Sequence, residues 1–168
     1  MKAKSKASVI FKSRSPAETL RLAAALAGLL KGGEVLSLKG MIGAGKTFFV
    51  KGLAAALGSK TSPVSASFNL MRTYKGGKRA GLKLYHFDLF RVSTEEMANI
   101  GLEDYLGTVD GVTAIEWASS AEYLYGRGDF LELDFELAGG DTRDIGARAS
   151  GSSAAKILEG LRKKWLKN

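Results

Sequence analysis

Residues 34–58 read EVLSLKGMIGAGKTFFVKGLAAALG, and the fold turns on them. Val35, Leu36 and Leu38 make Glu34 to Lys39 read as a largely buried strand. Phe48, Val50, Leu53, Ala54 and Leu57 recur at helical spacing, and Gly58 suits the residue just past a helix end. Between strand and helix lies GMIGAGKT, with three glycines in eight residues. Glycine gives up more backbone freedom on folding than any other residue, so this stretch must need bare backbone.

The pattern Gly40-x4-Gly45-Lys46-Thr47 is that of a P-loop. Main-chain N–H groups with no Cβ in the way can wrap a triphosphate, and the helix that begins near Lys46 adds its positive end. Gly43 and Gly45 allow that approach, Lys46 places a charge on the β- and γ-phosphates, and the Thr47 hydroxyl is positioned to ligate Mg²⁺. The expected ligands are therefore ATP and Mg²⁺, on a set made of Gly40, Gly43, Ala44, Gly45, Lys46, Thr47 and Phe48. A plain glycine turn is the alternative, but strand and helix flank the loop where the mechanism requires them.

Such a site needs acids to hold the metal and position a water. Two apolar runs supply one each: LKLYHFDLF (82–90) carries Asp88, and VTAIEW (112–117) reaches Glu116. Alone, either acid would more often be solvated or a cap. Beside a P-loop, each is where a strand delivers a carboxylate to the sheet's edge. Ligands of a doubly wound α/β sheet lie at the carboxyl ends of its strands. The expectation is an α/β P-loop NTPase fold whose central mixed sheet is parallel around the nucleotide and flanked by helices. Its antiparallel edges are expected where DFLELDFEL (129–137) and DTRDIGARA (141–149) lie, the first with one solvated face.

A chain of 168 residues with 45% apolar content fits one domain, 1–168. With no cysteine and one histidine, thiolate sites and centres built from several imidazoles are excluded. The longest apolar run, LAAALAGLL (22–30), falls short of a bilayer span, so a soluble cytoplasmic protein without membrane contact is expected. The start MKAKSKASVIFKSRS is basic and acid-free like a transit peptide, but VIF reads better as a strand. Of the net charge of +8, residues 1–15 contribute five Lys/Arg and no acid, and residues 156–168 five Lys/Arg and one acid. Basic ends on a nearly neutral body fit weak contact with RNA, or simply solvated termini.

Ser15-Pro16-Ala17-Glu18 reads as a capped helix start, with the helix running to about Leu30. MRTYKGGKRAGLKLYHFDLFRV (71–92) reads as two strands around a Gly-Gly-Lys turn, STEEMANIGLEDYL (93–106) as a helix begun at Ser93 or Thr94, and SSAAKILEGLRKKWL (152–166) as a last helix.

The ordered set GMIGAGKTFFVKGLAAALG, PVSASFNLMRTY, LYHFDLFRV, GLEDYL and AIEWA resembles the bacterial TsaE-type ATPases of tRNA threonylcarbamoyladenosine synthesis, over about residues 16–150. The resemblance implies that Lys46 and Thr47 bind phosphate and Mg²⁺, that Glu116 is a metal-side carboxylate essential to hydrolysis, that Asp88 is a second acid near the γ-phosphate, and that Trp117 lies beside the nucleotide. Ser65-Ala66-Ser67-Phe68 would be a switch-like loop. It also implies two partner proteins, of TsaB and TsaD type, one of which carries the carbamoyl-transferase site, and ATP hydrolysis that resets their complex. Two positions depart from the family pattern: Met41 stands where an acid is usual, and Ser65-Ala66-Ser67 replaces Ser-Pro-Thr.

Other readings stand beside this one. A small-molecule P-loop kinase would need an arginine-rich lid, and the central basic cluster KGGKRAGLK (75–83) reads as a hairpin tip instead. A nucleotide-bound RNA-binding module has only the basic ends in its favour. His86 is expected to be a partly buried strand histidine, and Arg91 to pair with an acid.

Overall fold

The computed structural model of the chain describes residues 8–61, 70–77 and 81–167. Among these, seven strands form one sheet: β1 (Ser8–Ser13), β2 (Val35–Gly40), β3 (Met71–Lys75), β4 (Lys83–Asp88), β5 (Gly111–Glu116), β6 (Phe130–Leu137) and β7 (Arg143–Ser150), in the spatial order β1-β7-β6-β2-β5-β4-β3. The block β6-β2-β5-β4 is parallel, while β3, β7 and β1 join antiparallel. The mixed sheet is thus the expected one, but its edges are β1 and β3. DFLELDFEL is an inner strand beside β2, because strand alternation reports which face is buried and says nothing about neighbours. Its Glu132, expected on a solvated face, is buried between Lys39 and Arg148.

Successive side chains leave a strand on opposite faces, so each strand feeds two cores. On one face Leu36, Leu38, Leu133 and Ile145 pack under helices α1 (Pro16–Ala27), α2 (Lys46–Ala56) and α5 (Ser152–Leu166), with Leu22, Leu26, Phe49, Leu53 and Leu158. On the other, Tyr85, Phe87, Ile115 and Phe130 meet the short helices α3 (Thr94–Asn99) and α4 (Glu122–Tyr125) and two 3₁₀ turns at Leu102–Tyr105 and Ala118–Ala121.

The helix ends follow their residues. Glu18 N–H donates to Ser15 Oγ at 3.2 Å, with Pro16 in the first helical position. Helix α1 stops at Ala27, before Leu30, because Leu29 and Leu30 bond three residues back and tighten the final turn. Ser93 and Glu96 form a reciprocal capping box on α3. The helix expected over 93–106 is broken in two by Gly101 at φ 67°. The turn and helix over 118–125, unforeseen in the sequence, carry Tyr125, whose hydroxyl donates to Ala118 O and pairs with the Ser37 hydroxyl beneath the sheet. The basic segment from 156 belongs to α5, a docked helix: Trp165 meets Phe11 edge-on at 6.0 Å and takes the Arg21 guanidinium on its face at 4.4 Å. Residues 1–7 lie outside the described residues.

Candidate functional site

At the carboxyl end of β2 the chain turns through Gly40, Gly43 and Gly45, with φ of 125°, 78° and 111°. Side-chain-bearing residues rarely adopt these angles. The three glycines differ in what surrounds them. A Cβ on Gly40 would lie 2.4 Å from the Phe135 carbonyl oxygen of β6, whereas Gly43 and Gly45 face open space. Gly40 therefore lets β2 leave the sheet, and the other two keep bare backbone toward the cleft. Gly45 caps α2 with no side-chain bond, so the first N–H groups of that helix are left for another acceptor.

A cavity of about 390 Å³ opens there, lined by Ile42, Gly43, Gly45, Lys46, Thr47, Phe48, Asp88, Phe90, Glu116 and Trp117. Gly40 and Ala44, expected in the binding set, lie behind it: Ala44 is buried, and Lys46 Nζ bonds the Gly40 carbonyl at 2.6 Å and that of Met41 at 2.9 Å. The same ammonium sits 4.1 Å from the centre of the Trp117 ring. Its burial lowers the lysine pKa, against the opposing pull of Glu116, Asp88 and Asp134. Met41 is exposed at the loop's tip with Ile42.

Register brings the two expected acids together, Asp88 on β4 opposite Glu116 on β5. Both are buried, and burial first, then the Glu116 charge, raises the Asp88 pKa; the Phe90 N–H, at 3.2 Å from Asp88 Oδ1, works the other way. Thr47 Oγ1 donates to Glu116 Oε1 at 2.8 Å, and His86 Nε2 lies 2.9 Å from the same oxygen. His86 is wholly buried rather than partly so. Its place two residues before Asp88, on the same strand face, is a signal that period-two reading could have used.

Both acid-bearing strands end in strained backbone. Among the described residues, the non-glycine residues with positive φ are Arg91 at 62° and Trp117 at 58°, each within three residues of its acid. Trp117 thereby swings its ring over Lys46 and against Phe90, 4.8 Å between centroids. Arg91, expected in an ion pair, lies over the Phe90 ring at 4.8 Å instead. The Ser65–Phe68 loop lies outside the described residues.

Among the described residues no three His, Asp, Glu or Cys side chains gather to cage a metal. The bare loop N–H groups and the Lys46 ammonium suit an anion, and Thr47 with a carboxylate near at hand could hold a hard cation beside it.

A strand, a glycine loop of this spacing, a helix with an open N-terminus and two acids at neighbouring strand ends define a P-loop NTPase fold. The family model described as threonylcarbamoyl adenosine biosynthesis protein TsaE matches residues 13–145, and the chain belongs to the TsaE family. The tRNA threonylcarbamoyladenosine biosynthesis protein TsaE of Bacillus subtilis is 35% identical over 147 residues, covering 88% of this chain and 89% of that protein. The TsaE protein of Rickettsia felis is 38% identical over 146 residues, with 84% and 82% covered. The crystal structure of Bacillus subtilis YdiB superposes with a TM-score of 0.79 at 31% identity, covering 96% of this chain and 99% of that one.

Proposed function

We propose that the chain binds ATP with Mg²⁺ and hydrolyses it, and that hydrolysis resets a partner carbamoyltransferase complex during formation of N6-threonylcarbamoyladenosine in tRNA. Membership of the TsaE family supports the place in tRNA modification. The observation that carries the chemistry is the convergence on one cleft of a buried lysine ammonium, the Thr47 hydroxyl and the Asp88–Glu116 pair.

Bound Mg²⁺ would neutralise charge on the transferring phosphoryl group. The protein's own part is positional and electrostatic. Lys46, now on the Gly40 and Met41 carbonyls, would hold β- and γ-phosphate oxygens, and the Thr47 hydroxyl, now on Glu116, would be the protein's oxygen for Mg²⁺. Glu116 would be the metal-side carboxylate and would act on the attacking water. Asp88 would be the second acid on the γ-phosphate side. Trp117 and Phe48 wall the cleft.

The partners are the TsaB- and TsaD-type proteins of the transferase complex, and the basic ends supply weak contact with tRNA. Among the described residues no helix is long and apolar enough to cross a membrane, and the proposed work on tRNA places the chain in the cytoplasm. The test is phosphate release from ATP and Mg²⁺ by the purified chain, alone and with both partner proteins. Release that rises with the partners and disappears in Glu116→Ala supports the proposal. No release under either condition overturns it.

A further inference from the structure

The cleft has a support that neither the loop pattern nor the two acids contain. Arg143 opens β7, 99 residues beyond Ala44, and its Nε–H donates to the Ala44 carbonyl at 3.1 Å. The same guanidinium bonds the Gly140 and Thr142 carbonyls at 2.8 and 3.0 Å, so one rigid fork ties the β6–β7 turn to the P-loop. The turn is itself closed by Ala138 N–H to Thr142 O at 3.0 Å and Thr142 N–H to Gly139 O at 2.9 Å. Arg143 is therefore anchored on both sides of its contact.

Peptide planarity makes this contact directional. In a trans peptide the carbonyl of one residue and the N–H of the next point opposite ways. Holding the Ala44 carbonyl toward β7 thus aims the Gly45 N–H away from it. Gly45 lines the cleft, and among the described residues no protein acceptor takes its N–H. With φ 111° and no side chain to wedge it, the Ala44–Gly45 peptide has little of its own to stop it rotating.

We propose that Arg143 is a positioning residue of the phosphate site: by gripping the Ala44 carbonyl it presets the Gly45 N–H as a phosphate donor. This rests on the nucleotide-binding reading above and adds a residue to it. Loss of the grip leaves phosphate recognition to pay for ordering a peptide that is otherwise ordered beforehand. Adenosine, which lacks phosphate, should not notice.

Two measurements on the full chain test it. The first is the backbone ¹⁵N order parameter of Gly45 without nucleotide, in wild type, Arg143→Lys and Arg143→Ala. The order parameter should fall at Gly45 and its loop neighbours in Arg143→Ala while β2 and β5 stay rigid, and Arg143→Lys, which keeps a donor, should fall between. The second is the dissociation constant of a fluorescent ADP. It should rise about tenfold in Arg143→Ala, the loss of about 1.4 kcal/mol that removing one charged hydrogen bond commonly brings.

An unchanged Gly45 order parameter in a folded Arg143→Ala protein overturns the inference, whatever nucleotide does. So does a loss of order spread equally through the sheet, since that reports general loosening. Failure of the wild type to bind ADP overturns the nucleotide reading and is visible in the second measurement alone.

Discussion

Asp88 and Glu116 face each other across β4 and β5, and the Asp88 carboxyl is held above its ordinary range by burial and by that neighbour. A carboxylate raised on folding contributes stability that is fully present below its unfolded pKa and lost as pH rises through the folded one. At neutral pH the ionised Asp88 is therefore a cost. Asp88→Asn keeps an oxygen for the Phe90 N–H, so it should raise the melting temperature at pH 7 and lose that advantage in acid below the aspartate range, while slowing phosphate release about a hundredfold. A thermal scan at several pH values checks the first claim, and an assay at pH 7 the second. Lys46→Ala removes a buried charge that packs against Trp117, and should leave the melting temperature within a few degrees while weakening ATP binding about a hundredfold, read by calorimetry. Glu116→Ala should retain nucleotide and lose turnover by about 10²–10³-fold, the scale set by removal of a group that acts in the transition state. If it turned over normally, Asp88 would take that role. The residues behind these expectations were legible because the P-loop is a local pattern and each acid closes its own apolar run.

At the scale of elements, Gly40 and Glu132 carry the clearest consequences. Gly40→Ala combines a left-handed backbone with a Cβ driven into the Phe135 carbonyl, so it should cost at least about 2 kcal/mol, roughly 4–8 °C in a chain of this size. Glu132 illustrates the opposite sign to Asp88. Burial alone would raise its pKa, but hydrogen bonds and charges from Lys39 and Arg148 outweigh burial and hold it below the ordinary value. Stability from this carboxylate is present above the unfolded pKa and lost as pH falls through the depressed one. Glu132→Gln should flatten the acid limb of the stability curve, measured by urea midpoints at descending pH. Strand and helix identities were largely readable from period and caps, down to the Gly58 stop of α2 and a cap at Ser93 or Thr94, of which the structure uses Ser93. The burial of Glu132 was not, since it depends on Lys39 and Arg148 arriving from β2 and β7, and no strand's alternation specifies its neighbours. The same is true of the His86 bond to Glu116 and of the Arg143 grip on Ala44. Each joins elements whose adjacency only the finished sheet creates.

For the whole molecule, regulation follows from how the site groups are engaged. Lys46 and Thr47 both spend their donors on the protein's own carbonyls and Glu116, so productive contact with phosphate requires exchanging those bonds. A partner that favours the exchanged arrangement raises turnover in proportion to its population. The exposed Met41, Ile42 and Leu70 give such a partner apolar surface near the cleft. Phosphate release by the chain alone should be slow and should rise at least about tenfold on saturation with the TsaB- and TsaD-type proteins; equal rates across the titration would reject this activation. Strand order has a further effect, on the timing of synthesis. The P-loop leaves the ribosome early, yet β2 finds its two neighbours only when residues 111–116 and 130–137 have been made, and β1 waits for 143–150. A growing chain therefore carries its apolar β2 and α2 without a sheet for most of translation, a period in which chaperones rather than nucleotide are the natural occupants of those surfaces. Ribosome-stalled chains ending near residue 125 should be protease-sensitive and unable to retain ATP, and full-length released chains should acquire both properties together.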